Sequence, residues 1–170
     1  MRQGYIVAVI SVGAIISAFS MAPSPVLAGG ATQIDGLALA PVSESTPECP
    51  DLDTFGADFF NPMTGDLNGC LYVIVETSEC KPSGTYLETG REIFVGSYNG
   101  NEGTFETTYR FEAKYEDCPD PATEIFGRCQ HPIVPGSGTG VFEGVTGRLD
   151  FKDNVEDDPI TFSYRGHLRF

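Results

Sequence analysis

Positive charge is scarce. The 170 residues hold ten Lys+Arg against 24 Asp+Glu, a net charge of −14, and no Lys or Arg occurs between Gln3 and Cys80. Nucleic-acid binding needs a basic track that releases counterions, and docking on an anionic membrane needs a polybasic patch, so both partner classes are disfavoured. The acidic balance reads as a surface that keeps an exported protein soluble, with adaptation to high salt as the second reading. Helix formers are also few. Beyond residue 28 Ala, Leu and Lys are sparse, while the chain carries 20 Gly and 12 Pro, which opposes a helical bundle and favours strands joined by turns. Charged residues are 20% beside 41% hydrophobic and 11% aromatic, so the composition is not that of a disordered chain.

Motifs of several chemistries are missing. No G-x-S-x-G elbow accompanies His131 and His167, the two histidines, which leaves a nucleophilic triad without support. Cys129-Gln130-His131 has no C-x-x-C partner, so zinc is disfavoured. The acidic run Asp153 to Asp158 lacks the D-x-D-x-D-G register and terminal Glu of a calcium loop, and reads as a solvated turn. Gly136, Gly138 and Gly140 follow Pro135 and precede the β-rich Val141-Phe142-Glu143, whereas a phosphate loop needs a helix after it. They read as strand bends or bulges. No metal and no cofactor is expected.

An export signal is present in the sequence. Arg2 precedes an apolar stretch from Tyr5 to Ala22, and Val26-Leu27-Ala28 is a small-residue cleavage pattern. Cleavage after Ala28 predicts a secreted or periplasmic protein, with a retained N-terminal anchor as the alternative. About 142 residues of the 170 remain, enough for one domain: residues 29–50 read as a flexible leader, with at most one short strand at 33–39, and residues 51–170 as the folded unit. Five cysteines enter an oxidising compartment, which predicts two bridges and one leftover. Cys70 and Cys80 flank a strand that holds them too far apart to bond. Cys118 and Cys129 flank a Pro-rich turn and are the favoured pair, with Cys70 to Cys129 left open and Cys49 as the odd residue.

Turn clusters recur at short intervals, and alternation between them is nearly complete. In Thr104 to Tyr115, Phe105, Thr107, Tyr109, Phe111, Ala113 and Tyr115 share one face, and Glu106, Arg110, Glu112 and Lys114 share the other. The stretch from Ile160 to Phe170 repeats the scheme. Leu71 to Val75 is apolar on both faces and therefore reads as covered on both sides. Strands are predicted near 54–60, 69–77, 84–89, 91–98, 103–115, 125–134, 139–152 and 159–170, with no helix. Eight antiparallel strands suffice to close a barrel whose interior holds side chains or one small ligand.

The segment from Gly136 to Phe151, GSGTGVFEGVTGRLDF, and the closing Tyr164-Arg165-Gly166-His167-Leu168 resemble the G-x-G-x-F-x-G-x-T-G region and last strands of the secreted allene oxide cyclase-like and dirigent-like barrels. The resemblance spans about 69–170, aided by Gly69-Cys70-Leu71-Tyr72 and Gly127 to Pro132. It implies an all-β, calycin-like single barrel of eight antiparallel strands with a central apolar cavity. In relatives of that group the cavity guides ring closure or radical coupling of hydrophobic molecules.

The function expected is an exported soluble barrel that binds a small hydrophobic ligand, with or without catalysis. Phe105, Tyr109, Phe111, Phe142, Phe162 and Tyr164 are the candidate cavity lining, against the alternative that they fill the core. Arg110, Glu112, His131 and His167 are the candidate polar or catalytic groups, a histidine acting as acid or base if Glu112 or Glu143 orients it. The arginines otherwise read as ion pairs with Glu106, Glu112 and Asp150. An isomerase or cyclase and an outer-membrane barrel with inverted faces are the competing readings. Oligomerisation is left open.

Overall fold

The computed structural model describes residues 30–118 and 120–170. The expected export signal and its cleavage site lie outside them. Nine antiparallel strands form in chain order: β1 (Thr32–Ala38), β2 (Phe59–Gly65), β3 (Leu67–Cys80), β4 (Thr85–Tyr98), β5 (Asn101–Tyr115), β6 (Glu124–Pro132), β7 (Thr139–Gly140), β8 (Thr146–Asn154) and β9 (Thr161–Arg169). The neighbour order runs β4, β3, β2, β1, β9, β8, β6, β5, and β5 pairs back onto β4. Eight strands thus close a barrel, and the two-residue β7 adds to β5 beyond the reach of β6.

Alternation assigns the faces as expected. On β5, Phe105, Thr107, Tyr109, Ala113 and Tyr115 are buried inside, while Glu106 and Arg110 are exposed. One end of the barrel is solid. Phe94, Phe105 and Phe142 meet with ring centroids 5.0 to 5.7 Å apart, and Leu67, Leu149, Leu168 and Val145 fill around them with no exposure. The Tyr164 hydroxyl accepts from the Leu67 amide at 2.9 Å and so closes that end beneath β2 and β3.

The doubly apolar strand is covered on both sides. Leu71 and Val73 join the interior, and Cys70 and Tyr72 face outward into a second cluster with Cys49, Leu52 and Phe60. The chain from Val42 to Phe55 lies over this outer face. It bridges β2 at Val42 to Phe60 and ends in α1 (Leu52–Phe55), stopped by left-handed Gly56.

Several expectations are corrected. Residues 30–50 are not a loose leader: the short strand expected at 33–39 is β1, which pairs with β2 and, along its whole length, with β9, and Cys49 bonds Cys70. The folded unit therefore begins near Thr32, not at 51. Cys118 bonds Cys80 and not Cys129. Cys129 lies opposite Phe111 on the inner face, four residues short of the end of β5 at Tyr115, roughly 13 Å down the strand, whereas bonded cysteines have Cα atoms within about 7 Å. Cys129 is the leftover thiol, buried. Gly90 does not divide β4, and residues 139–152 are not one strand, because turns at Thr139 to Val145 fold Phe142 into the solid end. Cys70 and Cys80 sit on one strand unpaired with each other, as the strand length required.

Candidate functional site

The other end of the barrel is open. A cavity of about 670 Å³ runs from the mouth down to Glu92 and His131. One inward step deeper, Phe94 and Phe105 pair across β4 and β5 and block it. Its walls are apolar in their greater part, with Phe59, Leu71, Val73, Phe111, Phe151 and Phe162 among them.

The polar groups are ordered by depth. At the floor, Glu92 Oε2 accepts from the Thr107 hydroxyl at 2.5 Å and lies 2.5 Å from His131 Nδ1. The His131 ring sits between Phe151, 4.4 Å away, and Tyr109, stacked at 6.0 Å. Its Nε2 is buried with no partner among the described residues. Higher up, Glu88 accepts from Tyr86 at 2.6 Å and from Tyr109 at 2.8 Å. Burial, then the Glu88 contacts, push the Tyr86 phenol up to about 12 and raise Tyr109 as well. Both stay donors at neutral pH. Burial and the surrounding carboxylates also push the Cys129 thiol far up, which makes it inert.

Near the mouth two carboxyl groups converge. Asp153, on β8, is 5% exposed. Glu124, at the start of β6, is turned inward by a bulge: pairing jumps from Lys114 with Phe126 to Tyr115 with Glu124, leaving Ile125 and Phe126 exposed outside. Gly127 makes the approach possible. A Cβ there would collide with Asp153 Oδ2 and with Glu124 Oε1. Glu124 Oε2 accepts from the Tyr115 hydroxyl at 3.3 Å, but Glu124 Oε1 and Asp153 Oδ2 have no donor among the described residues. Burial, with the Glu124 contact second, pushes Asp153 up to about 8, so a proton held between the two carboxyls satisfies them.

Of the residues singled out in the sequence, the structure brings His131, Tyr109, Phe111 and Phe162 to the cavity. Phe105 and Phe142 fill the solid end instead, and Tyr164 supports it. Filling and lining therefore both occur, at opposite ends. Arg110 and Glu112 point outward, because period two sets them opposite Tyr109 and Phe111; Glu112 accepts from Arg128 at 3.5 Å. His167 lies outside β9 beside Arg148 and Arg169. The carboxylate on His131 is Glu92, not Glu112 or Glu143. Glu88, Glu92, Glu124 and Asp153 were missed as interior groups. Asp153 was read into the turn after it, and the inward row Tyr86, Glu88, Gly90, Glu92, Phe94 was cut at its glycine.

Comparison of the chain with family models, with curated proteins and with solved structures finds no match.

Proposed function

We propose that the protein is an exported, soluble carrier that takes one small, largely apolar molecule into the open half of its barrel. The observation that carries this reading is the division of the interior: one half is filled by aromatic rings, and the other keeps a cavity of about 670 Å³ open to solvent, within the usual range of ligand sites. Two disulfides fit an oxidising compartment. Outward positions on β5 and β9 carry Glu106, Arg110, Arg165 and Arg169, all exposed, which supports a soluble barrel over a membrane-spanning one. The relation to the allene oxide cyclase-like and dirigent-like group belongs to this proposal, since a closed eight-stranded barrel is the architecture it implies.

An isomerase or cyclase is the second reading, favoured by His131 and Glu92 at the cavity floor, where an acid–base pair would face a bound apolar substrate shielded from water.

The test begins with recovery of the mature protein without detergent, followed by native mass spectrometry against neutral terpenoids and lipids. One-to-one complexes are expected, and Val73→Trp, which fills the wall, should abolish them. Extraction only in detergent, or no complex with any apolar compound, would overturn the proposal.

A further inference from the structure

For a carrier of the kind proposed above, on which the following inference rests, the polar groups of the cavity select the head group of the ligand. All carboxylates inside can be matched with donors except at one place. Glu92 is engaged by Thr107 and His131, Glu88 by Tyr86 and Tyr109, and Glu124 Oε2 by Tyr115. Glu124 Oε1 and Asp153 Oδ2 are buried and find no other donor among the described residues than the proton they share. Among the described residues no Lys or Arg lines the cavity. Surface acidity does not account for this, because a carboxyl as buried as Asp153 is costly unless something compensates it.

We infer that the ligand carries a protonated amine, seated between Asp153 and Glu124, on an apolar body that lies against Phe111, Phe151 and Phe162. An ammonium group supplies several donors and a positive charge where two buried carboxyls have only one shared proton between them. The rings of Tyr86 and Tyr115, 5.9 Å apart at the same level, add cation–π attraction. An anionic ligand such as a fatty acid meets only like charge. A hard divalent cation needs six or more oxygens, and among the described residues no group of three side chains is placed to hold a metal.

Asp153 is faced by Glu124 from β6 and Tyr115 from β5 and lies opposite Phe162 on β9, with Asp157 and Asp158 also lining the cavity. Seating the ammonium therefore displaces the shared proton to solvent. Its place is taken by a cation whose own pKa is near that of lysine.

The experiment is isothermal titration of the full mature protein at pH 6.5 with n-decylamine, n-decanol and n-decanoate, which share one chain, and with calcium chloride. The amine is expected to bind roughly tenfold or more tighter than the alcohol, the margin of one charge-assisted hydrogen bond, and decanoate weakest. Repeating the amine titration in buffers of different ionisation enthalpy should show proton release, a readout that needs no variant. Asp153→Asn and Glu124→Gln should each bring the amine down to the alcohol, while Glu102→Gln, on the outside of β5, should not. Equal affinity for amine and alcohol would sink this inference and leave the carrier reading intact. Binding by none of the three chains would sink both. Calcium binding that competes with the amine, or an amine preference that survives both variants, would also overturn it.

Discussion

Asp153 makes stability depend on pH in a direction opposite to that of a salt-bridged carboxylate. The folded chain holds its proton up to about 8, whereas an unfolded aspartate releases it near 4. Between those values the folded state binds more protons. This contribution is therefore fully present below about 4 and is lost as pH rises through about 8, with a slope of at most about 1.4 kcal/mol per unit. Urea midpoints are expected to fall from pH 5 to pH 8 in the parent chain and to fall less steeply in Asp153→Asn; equal slopes in the two proteins would show that Asp153 titrates normally. The sequence makes His131 visible as an acid–base candidate, but not its partner. Glu92 is 39 residues away, and only the β4, β5 and β6 registers bring the two to one level. Interior acids defeat the reading of alternation, because a carboxylate on a buried face looks like a solvent-facing one.

At the level of strands and connections, the disulfides differ in what they hold. Cys49–Cys70 fastens the covering segment to the outer face of β3, and Cys80–Cys118 joins the end of β3 to the turn that follows β5. The latter spans 38 residues, worth about 4 kcal/mol in the loop-entropy picture. Both its cysteines have solvent access, so Cys80→Ser with Cys118→Ser should lower stability by about that amount with little repacking. An unchanged denaturation midpoint would show that the chain does not form this bridge. Strands of strong alternation were legible: β5 was expected at 103–115 and runs from 101 to 115. β1 was faint because its inward residues are Ile34, Gly36 and Ala38, two of them too small to mark a face. The 118–129 pairing failed for a related reason. Closeness along the chain says nothing of depth inside a barrel, and the bulge at Ile125 was invisible without the partner strand.

For the molecule as a whole, composition and turn spacing sufficed for an all-β architecture, while closure into one barrel of eight strands was what the family resemblance implied. The division into a solid and an open half was not legible. It depends on which aromatics stand at the same height, and height is set by register. The seam between β1 and β9 has a further consequence. Thr32 lies opposite Leu168, so the beginning and the end of the folded unit are neighbours in space, and the order in which the chain visits the strands is separable from the barrel it makes. A circularly permuted chain should therefore fold, with Phe170 joined to Gly30 by a short Gly/Ser linker and new ends between Asn99 and Gly100, an exposed turn with both residues at positive φ. Amide spectra that superimpose on the parent's away from the new junctions are the expected result, and an insoluble permutant would mean that the β4–β5 hairpin must form as one piece. If the permutant folds, the native ends can be treated as an arbitrary opening in a ring of strands.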